Sequence, residues 1–315
     1  MAVHTPVLVD MALHFLCPMD QDALLCDATL GEGGHSYAFL SHSSALRVIG
    51  IDADAEILAV AQERLKEFAD RIEYYHGWSQ DFFASYPEDK EKPDSILIDL
   101  GISLYHYEVS SRGFSFSRDE YLDMRIDPTR GVSAAELLRR ISEADLADML
   151  YRNAEERNSR RIAHAIVAAR REGAIESSAA LAHIVASAVP GNYGPIHPAT
   201  KTFLALRIAV NRELEQLEAL LGSACSILKM GGRLGVLSFH SLEDRVVKLF
   251  FRAKAAVRAS TGSGEKPKMN GSGTPCFRIL TRKPIGPDEA EIRKNPPSRS
   301  AKLRVIEKLA EEGRL

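Results

Sequence analysis

Three glycines crowd the stretch Asp27-Ala28-Thr29-Leu30-Gly31-Glu32-Gly33-Gly34-His35, which follows a short apolar run and opens a helical pattern. Glycines at such a turn let the backbone approach a ligand closely. The helix amino end adds free N–H groups and a positive dipole. The spacing Gly31-x-Gly33-Gly34 is not the Gly-x-Gly-x-x-Gly of dinucleotide folds. Taken alone, the turn serves equally well as a tight strand-to-helix connection. Two more acids shift the balance. Asp52 closes the run Val48-Ile49-Gly50-Ile51, 21 residues after Gly31. A carboxylate there can accept hydrogen bonds from a ribose diol. Asp54 lies close by, but the strand end favours Asp52. Asp99 ends Ile96-Leu97-Ile98 in the same way. Ligands of open α/β sheets bind at the carboxyl ends of strands, so Asp27, Asp52 and Asp99 would line one rim. Three such acids predict a nucleoside-type cofactor.

Other clusters are less specific. His240-Ser241 stands with Glu243, Asp244 and Arg245 after another apolar run. A Ser-His-acid hydrolase would need a Gly-x-Ser-x-Gly elbow, which is missing. No His-x-x-x-His pair supports a metal, and none is expected. The plain alternative is a helix capped by Ser241, with Asp244 at the capping-box spacing. Arg112-Gly113-Phe114-Ser115-Phe116 joins a cation, a turn and two aromatics that can stack on an extruded base. They serve equally well to anchor an inserted domain to the sheet. Arg157, Arg160 and Arg161 read as helical, able to meet phosphates or simply to face solvent.

The elements that would position these groups alternate at first. Apolar strands are read at 23–28, 47–51, 72–76 and 95–98, with an amphipathic helix over 55–68 between two of them. Alternation implies a parallel sheet with right-handed crossovers. It stops near residue 105. Helical periods then run over 134–140, 143–151, 155–171, 178–189 and 198–221. A strand over 233–239, a helix over 242–256 and two last strands over 277–282 and 303–308 complete the chain. Residues 259–275 are rich in Gly, Ser and Lys and read as a flexible loop. The fold expected is α/β, a Rossmann-like sheet domain formed by 1–105 and 212–315. A helical domain over 106–211 is inserted into it.

Composition sets the outer limits. The chain has 315 residues, 45% apolar and 26% charged, with a formal charge of −3, the mix of a soluble globular protein. The first residues carry no basic cluster and the apolar runs are short, so neither a signal peptide nor a membrane span is expected. Cys17, Cys26, Cys225 and Cys276 include no Cys-x-x-Cys pair and read as reduced cytosolic thiols. The charge is unevenly spread. Residues 1–100 hold 18 acidic against 6 basic side chains, while 246–304 hold 14 basic against 4 acidic. Such a division can present a polyanion-binding face, which draws in Arg299, Lys302 and Arg304, or can be solvated charge without a partner.

The chain resembles the bacterial small-subunit ribosomal RNA methyltransferase H family, also called MraW, nearly end to end. His4-Thr5-Pro6-Val7-Leu8 is similar to the family's opening, and Asp27 to Ser36 to its cofactor loop. Asp99-Leu100-Gly101-Ile102-Ser103, Arg112 to Phe116, Leu122-Asp123-Met124-Arg125 and Glu155-Glu156-Arg157 match further signatures. So do Phe203 with Ala205 to Asn211, Phe239 to Arg245, and Ser298 to Arg304. The chain departs from the family where Leu104, Tyr105 and His106 replace Ser, Pro and Gln. Trp78-Ser79 stands near a usual Phe, Leu204 replaces a Gln and Pro297 an Arg.

The resemblance implies S-adenosyl-L-methionine as cofactor, held by Gly31, Gly33, Gly34, His35, Asp52, Ser79, Asp99 and His106. It implies methyl transfer to cytidine N4 of small-subunit (16S) ribosomal RNA, with Asp99 and His240 catalytic. Arg112, Phe114, Phe116, Arg157, Arg299 and Lys302 would touch RNA. The setting implied is the cytoplasm and an assembled or nearly assembled subunit, with a homodimer as an option. Cytosine N4 is a poor nucleophile because its lone pair is delocalised into the ring. A carboxylate accepting from the amine favours a pyramidal nitrogen. Carbon-5 chemistry would need a Cys nucleophile near the fourth strand, and no Cys follows Asp99 until Cys225. Two alternatives stay open: a catalytically silent RNA-binding assembly factor on the same fold, and a nicotinamide oxidoreductase.

Overall fold

The computed structural model describes residues 5–18, 22–189, 197–256 and 275–310. His4 and nearly all of the 259–275 stretch lie outside the described residues. The chain divides into a sheet unit, residues 1–101 with 216–315, and a helical unit, residues 102–215.

The sheet unit opens with α1 (Val9–Leu16), β1 (Leu24–Asp27), α2 (Gly34–His42), β2 (Arg47–Asp52) and α3 (Ala55–Arg64). It continues through β3 (Ile72–His76), α4 (Ser79–Ala84) and β4 (Ser95–Asp99). The helical unit holds α5 (Leu104–Glu108), α6 (Ala134–Arg140), α7 (Glu143–Ala154), α8 (Ser159–Glu172), α9 (Ser178–Ala188) and α10 (Thr200–Asn211). The unit boundary falls within α11 (Glu213–Ile227). Then come β5 (Arg233–Ser238), α12 (Ser241–Ala255), β6 (Phe277–Ile279), α13 (Glu289–Lys294) and β7 (Lys302–Lys308).

Seven strands lie in the order β3-β2-β1-β4-β5-β7-β6. Those from β3 to β5 pair in parallel, with Cys26 opposite both Ile49 and Ile96. β1 is buried throughout, because helices cover both faces of such a sheet. β7 enters antiparallel between β5 and β6. It is buried at six of its seven positions although four of its residues are charged, and each buried charge has a partner. Lys308 donates to the carbonyls of Ser226 (3.3 Å) and Leu228 (2.9 Å) past the end of α11. Glu307 accepts from Arg278 at 2.9 Å, and Arg304 pairs with Asp244.

The helical unit has its own core, built from Leu122, Leu146, Leu150, Ile162, Ile166 and Leu206 among others. Two of the signature stretches are used to build it. Asn211 Nδ2 donates to the carbonyls of Met124 (2.7 Å) and Arg207 (2.9 Å), and its Oδ1 accepts from Ile126 N at 2.9 Å. Gly113 has φ +70°, and a Cβ there would sit 2.4 Å from the Tyr121 carbonyl oxygen, so only glycine fits.

Three helix readings need correction. The helix expected over 198–221 is two, because Arg212 takes a left-handed conformation (φ 51°) and ends α10. The helix expected from 155 starts at Ser159. Glu155 (φ 50°) closes α7 instead, and the Glu156 carboxylate accepts from Asn158 N at 2.7 Å. The helix after β5 is capped by His240 and Glu243 rather than by Ser241 and Asp244.

Candidate active site

The strand order reverses between β1 and β4, and ligands of open α/β sheets bind at that point, outside the carboxyl ends. Asp27 ends β1 and Asp99 ends β4 there, while Asp52 ends the neighbouring β2. The glycine turn crosses the same rim. Gly33 (φ +76°) caps α2, and a Cβ on it would come within 2.7 Å of Leu65. No side chain caps this helix, so its first N–H groups are available to a ligand.

Each acid has a distinct environment. Asp27 is 1% exposed and accepts from Ser36 Oγ at 2.7 Å. Burial pushes its pKa up to about 6, against the opposing pull of Ser36 and His35. Asp52 accepts from Gly31 N at 2.8 Å and from Asp54 N at 2.9 Å, so it shapes the glycine turn from below. Asp54 is 2% exposed and caps α3 through Glu56 N, which separates it from any ligand role. The backbone N–H of Asp99 donates to Thr29 Oγ1 at 2.6 Å, tying the end of β4 to the turn. Its Oδ1 is buried without a hydrogen-bond partner.

His35, in the first turn of α2, completes the cluster. Its Nε2 lies 3.4 Å from Asp99 Oδ2, an ion-pair distance without hydrogen-bond geometry. Both ring nitrogens are buried without hydrogen-bond partners. Burial disfavours the imidazolium, but Asp99 and Asp27 together outweigh it and hold the His35 pKa above its ordinary value. Buried polar atoms left without partners cost free energy unless a ligand or water meets them. The rim therefore fits a polar nucleoside cofactor with hydrogen-bonding groups at its far end. The sequence placed His35 in the turn but carried no sign of its pairing with Asp99, which exists only because β1 and β4 are neighbours.

Other expected site residues fare differently. Ser79 is buried at the start of α4 and donates its hydroxyl proton to the Ala28 carbonyl, leaving only lone pairs for a ligand. His240 caps α12: Nδ1 accepts from Glu243 N at 3.4 Å, while Nε2 lies 3.0 Å from Glu243 Oε1 and is buried without a hydrogen-bond partner among the described residues. Lys302 and Arg304 both bind Asp244, at 3.3 and 2.7 Å, whereas Arg299 is exposed. In the helical unit, His106 is buried with its ring edge-on to Phe114 at 5.3 Å. Phe114 is 4% exposed, and Phe116 packs against His197 (4.6 Å) and Phe203 (4.9 Å). Phe114 belongs to the helical unit's own core, whereas Phe116 is only partly buried against it. Arg112 is also buried and donates to the Ile126 carbonyl at 2.8 Å. Arg157 is exposed, in the turn before α8 rather than on a helix.

A parallel sheet closed by an antiparallel β7, with a glycine turn and acids on the rim of its switch point, defines a Rossmann-like class I methyltransferase. The family comparison agrees. The chain belongs to the MraW methylase family, whose model matches residues 1–309, and S-adenosylmethionine is the cofactor. A protein of Treponema denticola named ribosomal RNA small subunit methyltransferase H is 50% identical, covering 98% of each chain. Proteins of the same name from Syntrophobacter fumaroxidans (43%, 97% of this chain and 96% of its own) and Thermotoga neapolitana (42%, 98% and 97%) are also similar. An rRNA methylase structure from Streptococcus thermophilus covers 96% of this chain and 93% of its own at 12% identity, with a TM-score of 0.38. That likeness is too distant to carry an argument.

Proposed function

We propose that this chain transfers a methyl group from S-adenosylmethionine to the exocyclic N4 of a cytidine in small-subunit ribosomal RNA, in the cytoplasm and on an assembled or nearly assembled subunit. The observation that carries this reading is the unpartnered, buried Oδ1 of Asp99 at the switch point. An exocyclic amine has N–H groups to donate to such an oxygen, and accepting them localises the nitrogen lone pair. The cofactor supplies an electrophilic methyl group. Asp99 orients the amine toward it, and alignment alone can supply roughly 7–11 kcal/mol of the barrier. The names of the similar proteins support the RNA substrate. The thiols support nitrogen over carbon-5 chemistry: Cys26 and Cys225 are buried, and burial pushes the Cys26 thiol up. Mass spectrometry of small-subunit RNA from a deletion strain should show the loss of one N4-methylated cytidine, restored by the wild-type gene. An unchanged nucleoside profile would sink the proposal.

Asp52 is the residue proposed to receive the ribose hydroxyls. A hydrogen bond to a charged group contributes ~1.5–3 kcal/mol, so Asp52→Ala should weaken cofactor binding about ten- to a hundred-fold. Calorimetry with a thermal melt checks this. Unchanged affinity in a folded variant removes Asp52 from the site.

The helical unit is proposed to meet the RNA. Arg157, Arg160 and Arg161 are exposed at the start of α8, and no acidic residue stands in its first turn. Cations at a helix amino end oppose the macrodipole, so stability gives no reason for them. Phosphate contact does. Replacing all three by alanine should leave the melting temperature unchanged or slightly raised. The log–log salt slope of RNA binding should become shallower by about 0.7 per lost contact on single strands. A wild-type slope would move the RNA face elsewhere.

A further inference from the structure

The Asp27–His35–Asp99 cluster does more than line the rim. It joins two carboxylates and one imidazole, and the imidazole has no hydrogen-bond partner at either nitrogen among the described residues. Asp27 is 1% and His35 5% exposed, so little solvent screens these two from one another, while the Asp99 side chain is 26% exposed. The carboxylates come from two neighbouring strands and the imidazole from the helix that opens at the glycine turn. Neither Asp27 nor Asp99 has a lysine or arginine among its hydrogen-bond or ion-pair partners in the described residues. With His35 neutral, the cluster carries an uncompensated negative charge at the place where the fold binds its cofactor.

S-adenosylmethionine is a sulfonium cation at its reacting sulfur. The product left after methyl transfer, S-adenosylhomocysteine, is a neutral thioether there. The two share every other charged group. A negative cluster therefore has a stronger reason to prefer the cofactor over the product while His35 is neutral.

We propose that His35 is a specificity-determining residue: its proton and the cofactor's positive sulfur compete for the same pair of carboxylates. When His35 is protonated, the net charge of the cluster falls from two negative charges to one, and the charged cofactor loses part of its advantage over the neutral product. When His35 is neutral, the carboxylates favour the sulfonium. The remaining charged groups near His35 fit this account. Arg64, at the end of α3, opposes the proton. On β2, Asp52 is engaged with the amides of Gly31 and Asp54. On α1, which packs against α2, Asp10 and His14 are exposed. The competition is thus between one proton and one sulfonium, and His35 is held above its ordinary pKa by the same two acids.

The sign follows from linkage. Binding that displaces one proton weakens about tenfold for each pH unit below the pKa of the group that loses it. Isothermal titration calorimetry of the full chain, from pH 6.5 to 8.5 and without RNA, reads this directly, because Asp27, whose pKa burial lifts to about 6, stays largely ionised there. S-adenosylmethionine should bind progressively more weakly below the His35 pKa and should release a proton there, seen by comparing buffers of different ionisation enthalpy. S-adenosylhomocysteine, which has the same amino and carboxyl groups, should show neither effect. His35→Asn should abolish the difference between the two ligands' pH profiles, and His35→Gln serves if the first variant melts early. Parallel pH profiles for the two ligands on the wild-type chain would overturn the proposal without any variant. Because no RNA enters the experiment, it rests on the cofactor and not on the cytidine reading, and either can fail alone.

Discussion

Asp99→Ala is expected to lower methyl transfer by about 10²–10⁴-fold, the range for losing a positioned proton-accepting group, while RNA binding stays within a few-fold of wild type. The separation follows from where Asp99 sits. Its backbone N–H is held by Thr29 Oγ1 at 2.6 Å, so the end of β4 keeps its place when the side chain is removed. Only the free Oδ1 and the pairing of Oδ2 with His35 are lost. An interaction made mainly in the transition state lowers kcat and kcat/KM together. Single-turnover kinetics on small subunits at saturating S-adenosylmethionine, with filter binding of the same RNA, separates the two quantities. Turnover near the wild-type rate in the folded variant means that Asp99 does not orient the amine. A parallel loss of RNA affinity means that it is a binding residue instead.

The rim was legible because each of its acids ends an apolar run, and apolar runs of that length become buried parallel strands. Asp27, Asp52 and Asp99 thus came with their positions as well as their identities. His35 came with the glycine turn. Its partner did not, because the contact with Asp99 depends on β1 and β4 being neighbours, which no local period encodes. The His240 reading shows the opposite problem. Histidine rarely caps a helix, so Ser241 is the natural candidate, yet His240 takes the cap through Nδ1 and leaves Nε2 without a hydrogen-bond partner among the described residues. Phe114 and Phe116 read as a stacking pair because aromatics beside an arginine look alike in a binding loop and in a core. Burial in the helical unit assigns Phe114 to the core and leaves Phe116 at its edge. The break at Arg212 was invisible because the apolar period runs on through it. The helix ends there as Asn211 turns its side chain to the carbonyls of Met124 and Arg207.

The basic stretch 246–304 is where charge counting and structure part, and there Arg304→Ala and Arg299→Ala are expected to behave in opposite ways. Arg304 is 7% exposed on β7, and its Nε lies 2.7 Å from Oδ1 of Asp244 on α12. Burial would raise the Asp244 pKa, but Arg304 and Lys302 outweigh it and hold that carboxyl below its usual range. Removing Arg304 leaves the part-buried Asp244 with Lys302 alone, at 3.3 Å, so the cost lies below the ~3–5 kcal/mol of a buried charge left with no partner. Arg304→Ala should therefore lower the unfolding midpoint clearly. Its depressed partner sets the pH window. The pair's contribution is present above the ordinary aspartate pKa and is lost as pH falls through the lower folded value, so the variant and the wild type should converge in acid. Arg299 is exposed on the short 3-10 turn before β7, and its side chain makes no hydrogen bond or ion pair among the described residues. Arg299→Ala should leave stability within about 0.5 kcal/mol of wild type and, if this surface meets phosphate, flatten the salt slope of RNA binding by about 0.7. Chemical denaturation at two pH values and salt-dependent RNA binding read both variants. A stable Arg304→Ala protein with weakened RNA binding would return Arg304 to the RNA face and show that its pairing with Asp244 carries little of the fold.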